Sequence, residues 1–269
     1  MSTTVQTSSG PRHRSASRLP GQSGLIRSEF TRLLATRSWL ILGAVTVLLA
    51  VIGEVSTGVS LNKPHGLDVS TTDGMAKALA SGFSAGLVAS IFAALMVTSE
   101  FRHRTVGQSV LDSGSRVAWV TAKIPAAVVS GLLMTVLGQL VTLAVGVPFL
   151  MHAGAHPDVW HGQLLRMTIG TALLGIPAAL WGTALGLLVR SQVGTIIGLV
   201  VYSVVAEAAV LQFVPAVGRW LPGGAQAAIV DDPTLPYHNT LLGIAVYGMW
   251  IVITGFIAVN RFLRSDIST

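Results

Sequence analysis

The chain has no cysteine, which excludes a disulfide framework and a thiolate metal site and leaves the redox compartment unmarked. Charge is scarce as well. Only 10% of the 269 residues are charged and 51% are hydrophobic, whereas an ordinary soluble domain is roughly a quarter charged. A water-facing surface cannot be assembled from so few ionic groups. Lysine occurs only at Lys63, Lys77 and Lys123, and none of the three follows a glycine. The glycine-rich loop ending in Gly-Lys-Ser/Thr that cradles nucleotide phosphates is therefore missing. The expectation is a protein that is not itself an enzyme and needs no cofactor. The formal charge of +6 does not point to nucleic acid, because the basic residues lie between apolar runs and form no patch on a polar surface.

What the sequence has in quantity is long apolar runs. A helix crossing about 30 Å of hydrocarbon needs roughly 20 mostly apolar residues and must close its backbone hydrogen bonds internally. Six stretches qualify, at about 39–57, 78–97, 124–148, 167–189, 193–214 and 240–259, with Glu54 near the far end of the first and Glu207 interrupting the fifth. The fold class expected is an all-α integral membrane protein with six transmembrane helices, the membrane domain covering 25–265. Residues 1–24 are rich in Ser, Thr, Gly, Pro and Arg without apolar periodicity, and are expected to form a disordered tail. The first apolar run begins too far from the early arginines for a secretory signal peptide, so it is expected to stay as an anchor.

Lys and Arg test this arrangement, because cytoplasmic connections are enriched in them. The N-terminal segment, the second-to-third and fourth-to-fifth connections and the C-terminal tail carry all of them except Lys63, Lys77, Arg166 and Arg219. The other three connections hold those four, together with Asp68, Asp73, Asp158, Asp231 and Asp232. Both termini are thus expected on the cytoplasmic side of the cell membrane, which demands an even number of spans. Pairs of small residues at GxxxG spacing, Gly82/Gly86, Gly182/Gly186 and Gly194/Gly198, suit close helix packing or a subunit interface. Pro125, Pro148 and Pro177 are expected to kink or end helices.

Before the first span, Ile26, Phe30, Leu33 and Leu34 recur at i, i+4, i+7 and i+8, with Arg27, Thr31 and Arg32 towards the other face. That pattern suits an amphipathic helix lying on the lipid bilayer's inner surface; a plain extension of the first span is the alternative. The connection over residues 99–123 leaves the second span through Glu100, Arg102 and Arg104, continues with Val106, Val110 and Leu111, and reaches a Ser/Gly turn at 113–115. It reads either as a solvated loop or as a short helix able to dock on a cytoplasmic partner.

Several segments resemble the permease subunits of ATP-binding-cassette (ABC) transporters of the type-2 exporter class. They are the run Glu100-Phe101-Arg102 followed by Thr105, the stretch from Ser115 and Arg116 to Lys123, and SEFTRLLATRSWLIL before the first span. GTALGLLVRSQVGTIIG between the fourth and fifth spans and WLPGGA at 220–225 complete the set. The resemblance implies a substrate-conducting permease subunit driven by a separate ATP-binding cassette subunit and paired with a second permease copy. Glu100, Phe101, Arg102, Arg104 and Thr105 would then belong to the region coupled to the ATPase. The family often has Gly where this chain has Arg104, which leaves the local turn open.

Glu207 stands inside an apolar run, where an ionised carboxylate costs about 2.5–3.5 kcal/mol. It is a candidate for the substrate pathway, through cation recognition, or for helix pairing; the alternative is a protonated or hydrogen-bonded glutamate facing a cavity or a kink of the fifth helix, or one placed nearer the outer interface. Gly82-Phe83-Ser84-Ala85-Gly86 matches GxSxG, but no histidine falls within a span to activate Ser84. His152, His156 and His161 with Asp158 match no strong zinc spacing, so no metal is expected. The stretch 220–232 reads as a re-entrant turn, a short interfacial helix or a plain connector. Two other functions stay open: a membrane anchor or regulator that moves no substrate, and an ion-coupled secondary transporter using Glu207.

Overall fold

The computed structural model describes residues 22–35, 37–61, 67–80, 84–232 and 239–265. Among them there is no strand, and six helices are long and apolar enough to cross a membrane. The protein is an all-α, multi-pass membrane bundle.

In chain order the helices are α1 (Gln22–Ala35), α2 (Ser38–Leu61), α3 (Thr72–Ala78), α4 (Ser84–Arg102), α5 (Val106–Ser113), α6 (Arg116–His152), α7 (Gly162–Leu173) and α8 (Gly175–Val189). Then come α9 (Gln192–Val200), a π-helical stretch (Val201–Glu207), α10 (Ala208–Phe213), α11 (Pro215–Gly218), α12 (Pro222–Ile229) and α13 (Thr240–Arg264). The spans are α2, α4, α6, α7 with α8, α9 through α10, and α13.

Lipid tails are as apolar as the side chains, so helices in a bilayer associate through close packing and hydrogen bonds between helices. The sequence supplies both along α4 and α8, the most closely packed pair. A Cβ on Gly182 would stand 2.0 Å from the Ser90 carbonyl oxygen, so only glycine lets the two backbones touch there. Ser90 Oγ donates to the Ala178 carbonyl at 2.9 Å, and Thr135 Oγ1 of α6 donates to the Ala172 carbonyl of α7 at 2.7 Å. The central helices are therefore α4, α6 and α8, with α2 on α6, α9 on α4 and α13 on α8. The most apolar stretch of α4 is 61% buried and that of α9–α10 only 17%, which leaves the latter facing outwards.

Several boundaries differ from those read in the sequence. The second span begins at Ser84, not at 78, because residues up to Ala78 belong to the separate helix α3, which Thr71 caps by accepting from the Gly74 amide. The third starts at Arg116 rather than 124: Ser115 caps the helix by accepting from the Ala118 amide, and the chain then runs unbroken for 37 residues. At 1.5 Å per residue that is about 55 Å, longer than the hydrocarbon is thick. Neither Pro125 nor Pro148 ends α6. Pro177 lies in the first turn of α8, just past the break at Leu174, where a missing amide costs least. The last span continues from 259 to Arg264, and the first covers 38–61.

The N-terminal helix begins at Gln22, inside the stretch assigned to the tail; residues 1–21 lie outside the described residues. Its apolar face is not simply laid on lipid. Leu33 is buried in a cluster with Ala89, Phe92, Ala126, Met134 and Ala178, and Phe30 packs at its edge. Ile26 is half-buried, and the side chain of Leu34 lies outside the described residues.

Candidate functional site

The turn that ends α4 organises one end of the molecule. The Thr105 amide donates to the Glu100 carbonyl at 3.0 Å and the Arg104 amide to the Phe101 carbonyl at 3.3 Å. This is the paired hydrogen bonding of a Schellman ending, which requires a left-handed residue at the position of Arg104. Arg104 has φ of 55°, so arginine holds a conformation that glycine adopts without strain. The chain then enters α5, whose Val106 and Ser109 are buried while Leu111 is 76% exposed. Gly114, with φ of 75°, turns it into α6.

Glu100 does not project from this turn with Arg102 and Arg104. It points back into the bundle: Oε2 accepts from the Trp119 indole at 3.1 Å, and Oε1 accepts from Lys123 Nζ at 2.5 Å and Arg32 Nη1 at 3.3 Å. Lys123 also donates to Glu29 Oε1 at 3.1 Å, and its side chain is 1% exposed. An isolated buried ammonium would cost several kcal/mol; two carboxylates and the face of Trp119, 4.7 Å from the nitrogen, compensate it. The cluster binds α1, α4 and α6 together.

Phe101 is directed inwards too. It meets Trp119 and Phe262 edge to face, with centroids 6.3 and 6.2 Å away, and Trp119 stacks on Phe262 at 5.1 Å. Arg116 Nη1 donates to the carbonyls of Phe262, Leu263 and Ser265, satisfying the open C-terminus of α13. Arg190 ends α8 with φ of 60° and lies 5.7 Å from the centroids of Phe101 and Phe262. Burial, with Arg261 and Arg116 nearby, lowers its pKa from the ordinary guanidinium value, which still leaves an arginine charged at neutral pH.

Of the five residues assigned to coupling, Glu100 and Phe101 are thus internal anchors. Arg102, Arg104 and Thr105 are exposed, and Arg102 Nη1 donates to Gln192 Oε1 at the start of α9 at 3.0 Å. Beside the turn, α1, α4 and Gln192 enclose a cleft of about 570 Å³.

Glu207 lies elsewhere. It is 3% exposed, accepts from the Gly223 amide, and has the Tyr202 hydroxyl at 3.5 Å. The π-helical stretch ends on it and α12 begins beside Gly223, so its carboxylate caps the first turn of a short, buried helix built from the WLPGGA segment. The segment 222–229 is accordingly a short helix, as one of the readings of 220–232 had it, and not a plain connector. Glu207 is also not alone among charges inside spans: Glu54 of α2 is 2% exposed against Gly146 of α6, and Lys123 lies within α6.

Gly182 and Gly186 meet α4, and Gly86 meets Leu174, whereas Gly194 has only local neighbours and Gly198 faces open space. Gly82 lies outside the described residues. His161 Nδ1 pairs with Asp158 at 2.8 Å on an exposed turn, and this hydrogen bond holds the Asp158 carboxyl below its usual pKa. Among the described residues no group of His, Asp and Glu is arranged to hold a metal ion.

Sequence reading passed over Glu29, Trp119 and Phe262, and took Lys123 for a loop charge rather than a buried cation. A signal existed for two of them: Trp119 and Lys123 are i and i+4, on one face of any helix through that region. The partners Glu29 and Glu100 are 94 and 23 residues from Lys123, and no local periodicity joins them. No protein-family model matches the chain, and no curated protein matches it.

Proposed function

We propose that the protein is the membrane-spanning permease subunit of an ATP-driven exporter of the type-2 ABC class. It provides a substrate path through the cell membrane, paired with a second copy and powered by a separate ATP-binding subunit. The observation that carries this reading is the construction of the 99–123 connection. A short amphipathic helix, α5, leaves an exposed Leu111 on one face and is joined at both ends to rigid transmembrane helices by left-handed turns at Arg104 and Gly114. Glu100 and Phe101, just before the turn, are fixed to α1, α6 and α13. A displacement of α5 would therefore reach three elements of the bundle without dissipating in a loose loop, as alternating access driven by a partner requires.

In this assignment Arg104, Thr105 and Leu111 meet the ATPase, while Glu100 and Phe101 position the turn and Arg102 ties it to Gln192 of α9. The test is affinity purification of the full chain in mild detergent with identification of copurifying proteins. An ATP-binding subunit is expected with the wild type and at least tenfold less of it with Leu111→Asp. Undiminished capture by both Leu111→Asp and Arg104→Glu would contradict the assignment.

A further inference from the structure

The cleft beside the coupling turn is amphipathic along its depth. Of its lining residues Arg32, Arg102 and His103 are exposed and make its mouth, while Leu33 and Phe92 are buried and Met96 half-buried and make its floor. Phe92 to Arg102 spans ten residues of α4, about 15 Å of rise, so the cleft runs from the polar end of the bundle into its apolar part. Glu29 and Glu100 also line it, but both are bonded to Lys123 behind the wall, and Arg32 reaches Glu100 as well. Counting Lys123, the charged groups here are three cations against two carboxylates, a surplus of one positive charge before His103.

The two guanidiniums keep donors to spare. Arginine has five N–H groups; Arg32 spends Nη1 on the carboxylates and has a 54% exposed side chain, and Arg102 spends one bond on Gln192. A fork of this kind suits a phosphate oxygen pair, and basic pockets between helices at the membrane surface hold anionic headgroups. The volume of about 570 Å³ lies within the roughly 300–1,000 Å³ usual for small-molecule sites.

We propose that this cleft is a binding site for one anionic phospholipid. Its phosphodiester rests between Arg32 and Arg102, and the upper part of an acyl chain lies on Leu33, Phe92 and Met96. Bound there, the lipid bridges α1 to α4 and α9 and so braces the turn that carries α5. The inference rests on the membrane placement of the bundle and not on the ATPase assignment.

The test uses the purified full-length chain, stripped of lipid in a neutral detergent, with thermal unfolding and native mass spectrometry as readouts. Phosphatidylglycerol is expected to raise the unfolding temperature by several degrees and to remain bound as one molecule per chain. Phosphatidylcholine and inorganic phosphate at equal concentration are expected to do neither. Arg32→Gln/Arg102→Gln should lose the effect at least tenfold in lipid concentration, and Arg264→Gln, on the same charged end outside the cleft, should keep it. Because Arg32 also contacts Glu100, Met96→Trp gives an independent check: it fills the floor, leaves both arginines, and should abolish retention of the lipid. Equal effects of phosphatidylcholine, a full effect of phosphate alone, or retained phosphatidylglycerol in Met96→Trp would overturn the proposal. Loss of lipid selectivity with the ATPase still captured would remove this site and leave the coupling assignment standing.

Discussion

At the scale of single residues, the charged end depends on a few side chains in costly situations. Lys123 is buried with two carboxylates around it, so Lys123→Met leaves Glu29 and Glu100 with only the half-exposed Arg32 as counter-charge. Breaking a buried pair from one side costs about 3–5 kcal/mol. Thermal or denaturant unfolding of purified protein is expected to show a loss of that order. Adding Glu29→Gln and Glu100→Gln should recover part of it, since the carboxylates then need no counter-charge. An additive loss would mean that the three groups do not interact. Arg104 shows the opposite case. With φ of 55° it holds a left-handed conformation, and Arg104→Gly should stabilise the turn by up to about 1 kcal/mol, whereas Arg104→Val should destabilise it. The strain comes from ending a helix on a non-glycine residue; the paired hydrogen bonds of the turn are nonetheless formed.

Among the helices, the contrast between two glycine pairs gives a direct comparison. Gly182 is pressed against the Ser90 backbone, and Gly198 has nothing within 4 Å. Gly182→Ala should force α4 and α8 apart and cost about 1–3 kcal/mol as an overpacked contact. Gly198→Ala should leave the stability of the isolated chain unchanged or slightly raised. Equal effects on unfolding would contradict the packing described for α8. Hydropathy made the six apolar helices legible, since length and composition alone identify a span. It could not set the start of α6: Arg116 and Lys123 read as loop charges until partners from α1 and α4 are brought to Lys123 by folding. Nor could it place the start of α4 at Ser84, because the residues between Lys77 and Ser84 carry no charge to mark a boundary. The π-helical stretch and the capping of α12 by Glu207 were illegible for a related reason. The cap depends on where Gly223 falls in space, and for both features the sequence shows only an acidic residue in an apolar run. The GxxxG pattern announced close contact equally for Gly182 and Gly198, and tertiary packing alone separates them.

For the whole molecule, everything depends on the sidedness of the bundle. The long apolar helices lie in lipid, and the arginine-bearing connections gather at one end, where α1, the α4–α5 turn, α6 and α13 meet. That end must face the cytoplasm for an ATP-binding partner to reach α5. The absence of native cysteine makes single introduced cysteines free of background. Gln108→Cys on exposed α5 and Trp160→Cys, at a 75% exposed position on the opposite connection, are to be labelled in intact and in permeabilised cells with a membrane-impermeant maleimide. Trp160→Cys is expected to react in intact cells and Gln108→Cys only after permeabilisation; reaction of Gln108→Cys from outside would contradict the placement of the coupling end.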